Sequence, residues 1–183
     1  SQMLMASTYP LEVAEAANWL RGNPHLSGTA LQDALKSQTW DNSVKSLISF
    51  PDALNMLGNK LDWTQQLGNA YLAQPKDVMQ AIQVLRARAK QAGNLQTNQQ
   101  IQVTTTPQQD IIIVPSNPQV VYVPAYNPMM VYGAWPYPAY PPVAYYPPGY
   151  VAGTALLSFG VGMAVGAALW GGCHWGGGYG GGS

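Results

Sequence analysis

The sequence predicts a mainly α protein: a small helical domain followed by a short β-hairpin, a Pro/Tyr-rich extended strap and an apolar Gly-rich helix. Three observations carry that prediction. Only 9% of the 183 residues are charged, against roughly 25% in an ordinary soluble domain, and all but Asp110 lie between Glu12 and Lys90. The prolines are distributed the opposite way, with eleven of fifteen between Pro107 and Pro148. The 20 residues from Val151 to Trp170 carry no charge at all. These shifts divide the chain into a helical head (1–92), a polar linker (93–110), a hairpin and strap (111–150), an apolar helix (151–170) and a Gly-rich tail (171–183).

Each head helix has a start or stop signal. Over 10–21, PLEVAEAANWLR places Leu11, Ala14 and Trp19 at helical spacing. Pro10 suits the first helical position, where a missing N–H costs nothing, and Glu12 and Glu15 favour the positive end of the helix dipole. Gly22-Asn23-Pro24 is a stop. A second helix is predicted from about Gly28 to Ser37. Asp41 is a good N-cap for a short helix holding Val44, Leu47 and Ile48. Pro51 opens another with Leu54 and Leu57, and Asp62 with Gln65 resembles a capping box for a helix reaching Ala73. Pro75 opens the last helix. Its apolar stripe is Val78, Ile82, Leu85 and Ala89, with Lys76, Arg86, Arg88 and Lys90 on the outer face or near the C-terminus. Gly93 is the expected stop. Trp19, Trp40 and Trp63 are the candidate core anchors.

Residues 96–109 are polar and read as a linker or an edge strand. Ile111-Ile112-Ile113-Val114 is rich in β-branched residues, which suit a pleated surface. Pro115-Ser116-Asn117-Pro118 is a turn, so 111–123 reads as a hairpin with Val120-Val121-Tyr122-Val123. Asn117-Pro118-Gln119-Val120-Val121-Tyr122 then recurs ten residues later as Asn127-Pro128-Met129-Met130-Val131-Tyr132. Two copies of a turn and an extended segment do not make a solenoid. Beyond Gly133 the prolines forbid regular helix or central strand, and polyproline II is expected. The strap tyrosines either pack on the helical head or form a docking surface, since such rings combine contact area with a polar tip.

As a helix, 151–170 would be about 30 Å long, enough to cross a hydrocarbon core. Thr154, Ser158, Gly162 and Gly166 recur every fourth residue as a small-residue stripe of the kind that lets helices approach closely in a membrane. Tyrosines precede the segment and Trp170 and Trp175 follow it, like aromatic belts. Its aliphatic residues and Phe159 contribute roughly −2 to −4 kcal/mol to insertion. Four internal glycines oppose a lone aqueous helix by about 4 kcal/mol. The segment therefore needs a bilayer, a self-association partner or burial against the head, and the alternative to a membrane-associated helix is a buried core hairpin that is Gly-rich because it packs tightly. The GGCHWGGGYGGGS tail is low complexity and carries no fold prediction.

Composition also excludes functions. A net charge of zero argues against a nucleic-acid binder, which works by phosphate neutralisation. Cys173 is the single cysteine, so no internal disulfide forms. Cys173-His174 falls short of a four-ligand metal site, and His25 reads as a surface residue. No phosphate-binding loop, haem-attachment motif, HExxH motif or nucleophile elbow occurs. Glu12 and Glu15 read as helix-dipole carboxylates before an acid–base pair. No catalytic residue, cofactor or metal is expected.

Four blocks resemble a bacterial family of unknown function, domain of unknown function 3300. They are MASTYPLEVAEAANWL, TWDNSVKSLISFPDALNML, LDWTQQLGNAYLAQPKDVMQAIQVLRARA and NPQVVYVPAYNPMMVYGAWPYPAYPP. The signature YVPxYNP falls on Tyr122, Val123, Pro124, Tyr126, Asn127 and Pro128. Members of that family begin with a secretion signal and an apolar-ALYPDPLL stretch upstream of where this sequence starts, so the resemblance implies a mature or partial chain. It also implies a Gram-negative envelope location, in the periplasm or at a membrane, and brings no activity or catalytic residues.

Two functions follow as expectations. The first is a non-enzymatic envelope structural or assembly protein, homo-oligomeric or membrane-associated through Thr154, Ser158, Gly162 and Gly166. The second is a binding module that docks an envelope protein or cell-wall glycan through Tyr122, Tyr126, Tyr132 and Trp135.

Overall fold

The computed structural model describes residues 2–118, 120–121, 124–144, 158–159 and 163–164. Among these, the chain is mainly helical, with a two-stranded antiparallel hairpin after the long helices. The described residues divide into two compact units, one up to Val78 and one from Met79 to Ala164.

The first unit contains α1 (Gln2–Ser7), α2 (Pro10–Gly22), α3 (Gly28–Lys36), α4 (Asn42–Leu47), α5 (Pro51–Asn59) and α6 (Leu61–Ala73). Pro10 and Pro51 open their helices as predicted, and the side chain of Asp41 accepts the Ser43 N–H at 2.8 Å. Helix α1 precedes the first helix that the sequence signals. It has no acidic first turn and is held by packing on α4 and α6. Helix α6 corrects the expected capping box. It starts at the corner residue Lys60, and Asp62 lies in its first turn without capping it. Instead, Thr64 is fully buried and its hydroxyl donates to the Leu57 carbonyl at 2.8 Å, tying α6 to the last turn of α5.

The core of this unit joins Val13, Ala16 and Ala17 of α2 to Leu35, Trp40, Val44, Leu47, Ile48, Leu54 and Leu57. Trp40 is buried, with Trp19 and Trp63 partly buried against the same cluster. The Trp19 and Trp40 rings meet edge to face, 5.8 Å between centroids. Gly68 is buried where α6 crosses the end of α1, and a Cβ there would lie 2.6 Å from the Ser7 carbonyl carbon.

The second unit begins inside α7 (Pro75–Gln91). Gly93, at φ +76°, ends α7: its N–H donates to the Lys90 carbonyl at 3.0 Å and the Asn94 N–H to the Ala89 carbonyl at 2.8 Å. This paired closure is the Schellman arrangement, which uses a left-handed residue that glycine adopts without strain.

Strands β1 (Ile101–Thr105) and β2 (Ile111–Pro115) pair antiparallel, Ile101 opposite Pro115 and Thr105 opposite Ile111. A hairpin after the helices is therefore present, but one strand earlier than predicted. The segment 101–105, expected as linker or edge strand, is the partner of β2, and Val120 and Val121 are not. The pairing gives β2 a full five-residue ladder closed at both ends, by Ser116 N–H to the Gln100 carbonyl and Thr106 N–H to the Asp110 carbonyl, each 2.9 Å. Ile101, Val103, Ile111 and Ile113 fall on one face, as the two-residue period requires, and pack with Ala89, Leu95 and Val131.

Two further pairings correct the expected apolar helix. Strand β3 (Val120–Val121) pairs with β6 (Met163–Ala164), and β4 (Pro124–Ala125) pairs with β5 (Ser158–Phe159), both antiparallel. The four described residues of 151–170 are thus extended. A Gly-rich run opposes helix by its own entropy, and the extended pairs Val120–Val121 and Pro124–Ala125 offer backbone partners that a helix would forgo. In the second repeat copy, Asn127 accepts the Met129 N–H at 3.0 Å and caps one helical turn, α8 (Pro128–Val131), where an extended segment was expected.

Candidate functional site

The polar face of α7 organises the second unit. Gln83 accepts the Ile111 N–H at 2.9 Å, and Arg86 donates to the Ile111 carbonyl at 2.8 Å. Arg86 therefore does not lie on the outer face as predicted. It turns in to satisfy both polar groups of Ile111 together with Gln83, at the outer edge of β2. On the outer edge of β1, the Thr97 hydroxyl accepts the Val103 N–H and Asn98 accepts the Ile101 N–H. Both edges are thus partly occupied by side chains, which blunts strand addition. Asn94 donates to the Val131 carbonyl at 3.1 Å and so holds the end of α8.

Behind this frame lies an aromatic pair. The Tyr126 and Tyr132 hydroxyls are 2.6 Å apart and their rings meet edge to face, 5.6 Å between centroids. Burial pushes both phenols above their ordinary range, and the Arg86 guanidinium partly opposes this at Tyr132. Burial in turn lowers Arg86, with Tyr132 opposing. At physiological pH both phenols are neutral. The pair closes the strap onto the hairpin as part of the second core.

The strap beyond it is different. Residues 135–140 form a compact turn in which the Tyr140 N–H donates to the Tyr137 carbonyl at 2.9 Å and the Trp135 indole N–H to the Tyr140 carbonyl at 2.8 Å. Trp135 and Tyr137 meet edge to face at 6.1 Å. Tyr137 is 61% exposed and Tyr140 78%.

Of the four anchors singled out by sequence, Tyr126 and Tyr132 come together and face inward, Trp135 belongs to the exposed turn, and Tyr122 lies outside the described residues. Thr154, Gly162 and Gly166 also lie outside them, and Ser158 is in β5. Tyr137 and Tyr140 belong to the strap tyrosines but are not among the anchors that the sequence singles out. The signal that singles them out is the proline on both sides of Tyr137 and after Tyr140, which leaves the chain unable to fold them into a regular element.

Glu12 and Glu15 have structural work. Glu12 accepts the Asp41 N–H at 2.6 Å and Glu15 the Trp40 indole N–H at 3.2 Å, clasping the entry to α4. His25 is exposed. Among the described residues, no three His, Cys, Asp or Glu side chains converge, and no helix is long and apolar enough to cross a membrane.

The chain is similar to an uncharacterized protein, YacH, of Escherichia coli strain K12, with 39% identity over 199 residues that cover 92% of this chain and 32% of that protein. The chain thus spans about a third of the length of that curated relative. No solved structure matches it. The sequence profile of one family, described as "Protein of unknown function (DUF3300)", matches residues 1–179, and the chain belongs to that family.

Proposed function

We propose that this chain is a non-enzymatic binding module of the bacterial cell envelope, with the 135–140 turn as its docking surface. The observation that carries the reading is the exposure of Tyr137 and Tyr140 on a turn tied by two hydrogen bonds. Large apolar rings left in water on a rigid frame are the usual makings of a contact site. The rest of the strap supports it: Tyr126, Tyr132 and Val131 anchor the turn's base in the second core. The envelope location rests on the family resemblance. Of the small-residue stripe only Ser158 lies among the described residues, where it is extended, so the stripe plays no part in this proposal.

The test uses the full chain. The purified protein is expected to co-sediment with isolated envelope fragments, and the double variant Tyr137→Ala/Tyr140→Ala to stay in the supernatant with an unchanged circular dichroism spectrum. Equal sedimentation of the two proteins would refute the docking surface.

A further inference from the structure

We propose that the 135–140 turn is a carbohydrate-stacking platform that takes an uncharged oligosaccharide. The inference rests on the docking reading above and names its ligand class. Four features of the turn converge on that chemistry.

The first is ring presentation. Trp135 meets Tyr137 edge-on at an interplanar angle of 78°. Edge contact covers less of a ring than face-to-face stacking, and Tyr137 and Tyr140 stay 61% and 78% exposed. An open aromatic face suits the C–H-lined face of a pyranose ring. The second is preorganisation. Two hydrogen bonds close the turn, and Pro136, Pro138, Pro141 and Pro142 restrict the backbone within and after it. Little freedom then remains to be lost on binding.

The third is the polar periphery. The indole N–H of Trp135 is used internally, but among the described residues neither the Tyr137 nor the Tyr140 hydroxyl has a hydrogen-bond partner. Two phenol tips beside ring faces match a ligand that is apolar on its faces and hydroxylated on its rim. The fourth is charge. Asp110 is the only charged residue after Lys90. A nucleic-acid backbone would need cations here, and an anionic lipid surface would need basic residues beside the rings. An uncharged sugar needs neither.

The experiment titrates the full chain with a soluble chitin oligosaccharide, read by calorimetry and tryptophan fluorescence. Binding with a Kd of about 0.1–1 mM is expected, unchanged between low and high salt because no charge pair forms. Tyr137→Ala and Tyr140→Ala should each weaken it about tenfold, with urea unfolding unaltered, whereas Tyr137→Phe should keep the stacking and most of the affinity. Absence of binding at about 5 mM sugar overturns the inference, as does equal binding by the alanine variants. If sugar binding fails while envelope co-sedimentation still depends on Tyr137 and Tyr140, the docking surface stands and its ligand is a protein. If both fail, both readings fall.

Discussion

Replacing Gly68 by alanine tests the packing of the first unit at its tightest point. The built Cβ would lie well inside van der Waals contact of the Ser7 carbonyl oxygen, 2.6 Å from its carbon and 3.0 Å from Thr8 Cα. These are backbone atoms, so no rotamer change relieves the overlap. Ser7 is fully buried, and α1 is packed on both α4 and α6, so the α1–α2 corner cannot retreat freely. Mid-helix glycine to alanine ordinarily stabilises by about 1 kcal/mol. Overpacking by one carbon against a fixed wall costs about 3 kcal/mol or more. The net expectation is a destabilisation of about 2 kcal/mol, or about 2 M in the urea midpoint for a unit of this size. Gly58→Ala is the control. Its Cβ would meet a single side-chain carbon, Ala17 Cβ at 2.9 Å, and otherwise nothing nearer than 3.9 Å. Its overlap should nearly cancel the helix gain. Urea unfolding followed at 222 nm measures both. A Gly68→Ala protein as stable as its parent would refute the close approach of α6 to the α1–α2 corner.

Further expectations concern the second unit and the α4 cap. Tyr126→Phe or Tyr132→Phe alone strands one buried hydroxyl and should destabilise by about 1–2 kcal/mol, whereas the double variant should recover most of that loss; additive losses in chemical unfolding would deny the pairing. Both phenols have folded pKa values raised above the ordinary 10.0. Their contribution to stability is therefore complete below about pH 10 and is lost as pH rises above it, because the unfolded chain sheds those protons first. An ultraviolet titration should show two tyrosines ionising after the exposed ones, and ionisation of all the tyrosines in one step would contradict this. Asp41→Ala should cost about 1 kcal/mol and Asp41→Asn much less, since asparagine still accepts the Ser43 N–H; equal unfolding midpoints would deny the cap.

Local chemistry made much of this molecule legible. Pro10, Pro51 and Pro75 open helices because a proline loses nothing at the first position, and Gly93 stops α7 because it alone enters the left-handed region cheaply. Asp41 caps because its carboxylate reaches an orphan N–H two residues on. Such signals act within a few residues and need no knowledge of the fold. The same locality explains why the docking turn was only half legible: the proline spacing marked 135–148 as irregular, but not which rings would face water.

What tertiary structure decided was every choice among long-range partners. β-branched residues at 111–114 specify a strand and not its neighbour, so only the folded chain chose 101–105 over 120–123. The apolar run at 151–170 reads as a helix by composition and length, but at Ser158 and Met163 the chain pairs as strand with Ala125 and Val121. Arg86, amphipathic by nature, went outward by periodicity and inward by the unmet polar groups of Ile111. Residue type marks Tyr126 and Tyr132 as aromatic anchors, and only the fold gives each the other as a hydrogen-bond partner. Short-range backbone preferences are written into residue type. Pairing, burial and exposure depend on which distant segment arrives to compete with water, and that is a property of the assembled chain alone.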